Sequence, residues 1–213
     1  MRGVFITFEG IEGCGKSTQA HLLRRYLEAE GHDVVLTREP GGTPIAEAIR
    51  EMLLDPANAA MSPLTELLLY EAARAQHVHE LIRPAIEAGA IVICDRFYDS
   101  TTAYQGAGRG LPDIDFERLH DMATGGLSPD LTLFLDLPVE EGLKRAANAA
   151  AQDRIERESI EFHERVRKGF LELAAQHPGR IRTLDAGRTP EDIAIAVSAL
   201  VDPLVESCRS DAP

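Results

Sequence analysis

Gly10-Ile11-Glu12-Gly13-Cys14-Gly15-Lys16-Ser17, followed by Thr18, is the stretch from which the rest of the chain is read. Its spacing is G-x-x-x-x-G-K-[ST], that of a phosphate-binding loop. Directly before it, Val4-Phe5-Ile6-Thr7-Phe8-Glu9 is a short apolar-rich run that reads as a strand. Directly after it, Gln19 to Glu30 carries Leu22, Leu23, Tyr26 and Leu27 at helical spacing. Strand, glycine-rich turn and helix, in that order, are the context such a loop needs. Glycines let the backbone wrap closely around phosphate oxygens, and the helix N-terminus presents N–H dipoles to the anion. Gly10 through Thr18 are therefore the candidate nucleotide-binding residues. Lys16 is expected at the β- and γ-phosphates, and the Ser17 hydroxyl on Mg²⁺. The bland alternative is a chance glycine turn, which the flanking elements argue against.

The 213-residue chain is 44% hydrophobic and 27% charged, proportions that suit one soluble α/β domain. Its net charge of −13 argues against a general nucleic-acid or membrane-surface binder. An acidic chain that binds polyphosphates must gather arginine and lysine locally and enlist Mg²⁺. Cys14, Cys94 and Cys208 are scattered and odd in number, which points to a reducing, cytoplasmic setting. Cys14, inside the loop, reads as an oxidation-sensitive thiol or simply as a small residue tolerated in a tight turn. No targeting signal is expected at the N-terminus, and no apolar run is long enough to cross a bilayer.

Short runs rich in Val, Ile, Leu or Phe mark strands at Val4–Glu9, Asp33–Thr37, Ala90–Cys94, Leu131–Asp136 and Arg180–Leu184. Their lack of strict alternation predicts a parallel sheet covered on both faces. Helical patterns lie between them, over Thr18–Glu30, Pro44–Leu54, Pro63–Glu87, Asp115–Thr124, Val139–Ala150, Ile160–His177 and Pro190–Ser207. Pro44, Pro63 and Pro190 each follow a Ser or Thr, a cap residue before a first-turn proline. The fold class is thus α/β, a doubly wound five-stranded parallel sheet flanked by helices, in a single domain spanning 1–213. Ligands in such sheets bind beyond the carboxyl ends of the strands. Gly106, Gly108 and Gly110 do not follow a strand and read as a flexible loop. The polar tail from Ser207 is expected to fray.

The strand Ile91-Val92-Ile93-Cys94 delivers Asp95 and Arg96. An aspartate at the end of an apolar strand beside the loop is positioned to orient Mg²⁺ or its waters. Asp136 is a rival, but Pro138 follows it closely and no arginine accompanies it, so Asp95 is favoured. Arg96 offers a planar fork for a second phosphate. The alternative for Arg96 is an ion pair with Asp99 or another acid.

Ile93-Cys94-Asp95-Arg96-Phe97-Tyr98-Asp99-Ser100-Thr101-Thr102-Ala103-Tyr104-Gln105 resembles the signature of the thymidylate kinase family. The loop with Glu12, Thr37-Arg38-Glu39-Pro40-Gly41-Gly42-Thr43, Ala72-Ala73-Arg74 and Asp153-Arg154-Ile155-Glu156 resemble that family in the same order. The resemblance implies transfer of the ATP γ-phosphoryl group to dTMP, with Mg²⁺ and a homodimeric assembly. It also implies that Arg38 and Arg96 engage the acceptor phosphate, and that Glu12 lies near the 3′-hydroxyl and the metal. Tyr70 would stack on thymine, Arg74 would donate to its carbonyl edge, and Ser100, Thr101 and Gln105 would complete the acceptor site. Tyr104 would crowd the 2′ position. Without the family pattern, Tyr70 and Tyr104 read as packing aromatics, Arg74 as a helix-surface charge and Arg38 as a salt-bridge partner.

A covering segment is expected at about 147–158. The loop has Gly13 after Glu12 and no arginine, so the resemblance assigns the transition-state arginine to Arg154. Ala149-Ala150-Ala151 departs from the more basic sequence of many relatives, which leaves Arg145 and Arg157 without a clear part. Asp185-Ala186-Gly187 is similar to the loop bordering adenine in related kinases. Two alternatives stay open on the residues alone: a kinase for another nucleotide or nucleoside, and a P-loop regulatory ATPase whose acceptor is water.

Overall fold

The computed structural model describes residues 2–111, 114–147 and 153–210. Five strands, β1 (Phe5–Glu9), β2 (Val34–Arg38), β3 (Ile91–Asp95), β4 (Leu131–Asp136) and β5 (Ile181–Asp185), form one sheet in the order β2-β3-β1-β4-β5. All its pairings are parallel. Central β1 and its neighbours β3 and β4 are buried almost throughout, as apolar runs without alternation require. The edge strands β2 and β5 are only partly covered.

Successive side chains of a strand face opposite ways, so one strand feeds two cores. Phe5, Val92 and Cys94 pack with Phe97, Val78, Ile82 and Ile86 on one face. Ile6, Phe8, Ile93 and Leu133 pack with Leu23, Leu27, Phe170 and Val197 on the other. The chain crosses from β3 on one side of β1 to β4 on the other, and this reversal opens a crevice beyond the end of β1. Register sets Arg38 level with Asp95 and Thr7 level with Cys94, so the charged strand ends converge on that crevice.

Helix α1 (Lys16–Ala29) follows the glycine-rich loop, and α2 (Pro44–Leu54) begins at the expected proline. The single helix expected over Pro63–Glu87 is instead α3 (Pro63–His77), a π turn (Val78–Ile82) and α4 (Arg83–Glu87). Pro84 has no N–H for an i→i−4 bond, and its ring crowds the preceding turn, which the wider turn relieves. After β3 the chain forms α5 (Tyr98–Thr101), which runs on as a π helix over Thr102–Gly108. This corrects the loop reading of Gly106 and Gly108. A Cβ at Gly108 would lie 2.8 Å from Phe162 and 2.9 Å from Val166, so glycine there serves close helix packing. Gly110, at φ 71°, stands just past the helix end in the left-handed region.

The remaining helices are α6 (Phe116–Thr124), α7 (Val139–Ala147), α8 (Ile160–Gln176) and α9 (Pro190–Ser210). The chain remains helical through Ser210, beyond the point at which fraying was expected. Ala149-Ala150-Ala151 and the part of the expected covering segment at 148–152 lie outside the described residues.

Candidate active site

The loop between β1 and α1 has three glycines at positive φ, each with its own reason. A Cβ on Gly10 (φ 139°) would lie 2.6 Å from the Leu135 carbonyl oxygen. One on Gly13 (φ 68°) would lie 2.1 Å from the carbonyl oxygen of Gly142 in α7. No side chain fits at position 13, which accounts physically for the missing arginine there. Gly15 (φ 96°) faces open space, so its demand is purely conformational. Lys16 begins α1 and donates from Nζ to the carbonyls of Ile11 (2.7 Å) and Gly10 (3.2 Å). Cys14 is buried beneath the loop, while Thr18 is exposed.

Ser17 Oγ donates to Asp95 Oδ2 at 2.5 Å, which brings together two of the three side chains expected to face the metal; the third, Glu12, is held by Arg96 and Tyr104. Asp136, the rival, is held by both Nε and Nη2 of Arg167, at 2.8 and 3.0 Å. A hydroxyl and a carboxylate are hard oxygen donors and suit Mg²⁺, which usually completes its shell with phosphates and water. Among the described residues no group of three His, Cys, Asp or Glu side chains forms a closed metal cage.

Arg96 has φ 72°, the only non-glycine residue at positive φ among those described. Such a backbone costs energy and persists where the surroundings over-determine it. They do here. Its guanidinium donates to Gly10 O (2.8 Å), Ser100 Oγ (3.1 Å), Glu12 Oε1 (3.1 Å) and Tyr104 OH (3.1 Å). Asp99, the alternative partner, is instead paired with Arg180 at 2.6 Å. Tyr104 also donates to Glu12 Oε1 at 2.5 Å.

Burial opposes the charge on Glu12, but His163, Arg96, Lys16 and Tyr104 outweigh it and hold the carboxyl well below the usual carboxylate range. The structure therefore places Glu12 against Arg96 and Tyr104, with His163 Nδ1 3.3 Å from its second oxygen. Its neighbour in the strand behaves oppositely. Burial, then Asp99, pushes Glu9 up to about 8. Glu9 accepts from Phe97 N at 2.8 Å and from Ser100 Oγ at 2.5 Å.

One cavity of about 290 Å³ opens beside the loop. Glu12, Gly13, Lys16 and Ser17 line its loop side. Arg38, Tyr70, Arg74, Asp95, Arg96, Ser100, Thr101, Tyr104 and Gln105 line the rest, so the expected acceptor residues share one space. Arg38 is more than half exposed and also pairs with Glu47 at 3.0 Å. Arg74 is no helix-surface charge, being 2% exposed. It binds Glu39 (2.9 Å), Glu71 and Thr101 Oγ1 (2.8 Å). Burial works against its charge, yet Glu71 and Glu39 raise its pKa further.

Arg154 stands elsewhere. Its Nη1 pairs with Glu66 at 2.5 Å, and its Nε donates to Leu53 O at 2.8 Å. The expected transition-state arginine is thus anchored on α2 and α3 and does not line the cavity, because buried Glu66 holds it there. The cavity's covering side is formed instead by Asp153, Ile155 and Glu156. Arg145 donates to Ala186 O at 3.2 Å, which ties α7 to the loop expected beside adenine.

Sequence reasoning missed several site residues. Arg50 of α2 lines the cavity and donates to Pro40 O at 2.7 Å. Glu39, within Thr37-Arg38-Glu39-Pro40-Gly41-Gly42-Thr43, carries no local signal of its role; it anchors Arg74 and meets His77 Nδ1 at 3.1 Å. His163 and Glu66 carried no local signal, since each acts on residues far away in the chain.

A parallel sheet, a phosphate-binding loop at its switch point and a cation-lined cavity beyond it define a P-loop phosphotransferase. Comparison with known proteins narrows the class. A family model described as thymidylate kinase matches residues 8–197. A thymidylate kinase of Geotalea uraniireducens is 53% identical over 205 residues, covering 93% of this chain and 96% of that protein. One of Ectopseudomonas mendocina is 53% identical over 209 residues, covering 98% and 100%. The crystal structure of thymidylate kinase from Ehrlichia chaffeensis superposes with a TM-score of 0.78 at 36% identity, covering 95% of this chain and 99% of that one. The chain belongs to the thymidylate kinase family.

Proposed function

We propose that the protein transfers the γ-phosphoryl group of ATP to dTMP, giving dTDP and ADP. One observation carries this reading: the phosphate-binding loop and the acceptor residues line a single cavity. Phosphoryl transfer needs donor and acceptor oxygens in line and the migrating charge neutralised, with no protein nucleophile. Lys16 and the amides from Gly13 to Thr18 hold the donor. Arg96, fixed by four contacts, and Arg38 hold the acceptor phosphate; Arg50 adds a third cation on that side. Tyr70 stacks on the base, and Tyr104 and Glu12 together face the sugar.

Ser17 and Asp95 would hold Mg²⁺, which would supply positive charge to the donor phosphates when bound. Arg154 serves the transferring group only if it leaves Glu66. We place the enzyme in the cytoplasm, in keeping with its free thiols; no helix among the described residues is long and apolar enough to cross a membrane. A homodimer is supported by the exposed apolar side chains of two packed helices, Ile45 and Met52 on α2 and Leu64 and Leu68 on α3.

The test is coupled ADP release with Mg²⁺-ATP across nucleoside monophosphates. The highest kcat/KM is expected with dTMP. Faster turnover of dGMP or UMP would transfer the assignment to another nucleotide kinase, and ADP release independent of any acceptor would favour the regulatory ATPase.

A further inference from the structure

Gln105 lines the cavity but is 1% exposed, and an amide so placed has two chemically opposite ends to present. Behind it stands Glu66, also 1% exposed and outside the cavity. Gln105 Nε2 donates to Glu66 Oε1 at 2.8 Å. The same carboxylate takes Arg109 Nε at 2.9 Å and Nη2 at 3.0 Å, and Arg154 Nη1 at 2.5 Å. With two guanidiniums on it, Glu66 stays ionised and can only accept. The Gln105 amide must therefore turn its NH₂ inward, which leaves its carbonyl oxygen for the cavity.

A mirror-image chain fixes Thr101. Glu39 and Glu71 can only accept, Arg74 can only donate, and Arg74 Nη2 donates to Thr101 Oγ1 at 2.8 Å. Thr101 thus accepts from behind and has its own proton to give elsewhere. The cavity wall offers an acceptor and a donor side by side. That pair complements an imide edge, an N–H flanked by C=O. It opposes a cytosine edge, where a bare ring nitrogen faces the acceptor and an amino group faces the donor.

We propose that Glu66 is a specificity-determining positioning residue: by locking the orientation of the Gln105 amide it makes the site select N3-protonated pyrimidines over cytosine. This rests on the reading of the cavity as the dTMP site. Glu66 acts through Gln105 and touches no substrate.

The test compares kcat/KM for dTMP and dCMP in the wild type, Glu66→Gln and Gln105→Leu. Both acceptors share one donor site and one anchored Arg154, so a general loss of activity cancels in the ratio. The wild type is expected to prefer dTMP by roughly 10⁴-fold, as sites built around a hydrogen-bond donor do. In Glu66→Gln the neighbouring amide can donate as well as accept, Gln105 can turn over, and the preference should fall by about ten- to a hundredfold, chiefly through KM. An unchanged preference in Glu66→Gln, with a collapsed one in Gln105→Leu, overturns the proposal and leaves the dTMP site standing. An unchanged preference in both removes Gln105 from base reading and sinks the parent assignment of this wall.

Should Glu66→Gln fail to fold, nuclear magnetic resonance of the wild type decides. The Gln105 side-chain NH₂ signals, identified by their loss in Gln105→Leu, should be protected from exchange by Glu66 before dTMP is added and stay equally protected afterwards. Protection that arises only as dTMP binds shows the NH₂ on the base and overturns the proposal.

Discussion

At the scale of single residues, pairing separates functional charges from structural ones where the sequence offers two equal candidates. Asp95 and Asp136 both end apolar strands, but Ser17 holds the first and Arg167 the second. Asp95→Asn should cost at least about 10²-fold in kcat and change the Mg²⁺ dependence, both read by ADP release. Asp136→Asn should leave turnover near wild type and cost stability only, no more than about 1 kcal/mol for a partly exposed pair, read by denaturant unfolding. Glu9 and Glu12 illustrate how environment divides identical side chains. Glu9 carries a raised pKa, so its native state keeps a proton that the unfolded chain has released above pH 4.5. Its contribution is complete below pH 4.5 and is lost as pH rises through about 8. Folding stability should accordingly decline between these limits, by about 1 kcal/mol per pH unit, and Glu9→Gln should flatten that slope in pH-resolved denaturant melts.

Elements meet through glycines whose purpose is packing. Gly13 of the loop and Gly142 of α7 touch backbone to backbone; a Cβ on Gly142 would lie 2.5 Å from the Glu12 carbonyl oxygen. Gly142→Ala should therefore push α7 off the loop, lowering stability by about 1–3 kcal/mol and weakening ATP binding together, measurable by thermal melts and by titration calorimetry. The same logic explains why Gly106 and Gly108 read as a loop although they lie in the π helix over Thr102–Gly108. Glycine is a sound signal of a loop when only neighbours in sequence are considered. Here Gly108 makes room for Phe162 and Val166, and Gly169 of α8 makes room for Ala107 and Ala103, contacts between segments far apart in the chain.

For the whole molecule, the exposed apolar faces of α2 and α3 bear on assembly. Leu68, 52% exposed, is the substitution of choice, because it belongs to neither buried core cluster. Sedimentation should find the wild type as a dimer and Leu68→Glu as a monomer; a monomeric wild type would remove the assembly from the proposal. The element order, the parallel sheet and the phosphate-binding loop were legible in the chain, because they follow from local periodicity, turn chemistry and short motifs. Lys16, Ser17, Asp95 and Arg96 stood out for the same reason, each at the mouth of a strand or helix. What the folded molecule alone decided is partnership: Glu66 with Gln105, Arg154 and Arg109, His163 beside Glu12, Arg50 on the cavity wall. A buried charge is defined by which opposite charge or hydrogen-bond partner surrounds it, and those neighbours are contributed by segments that only the tertiary fold brings within reach.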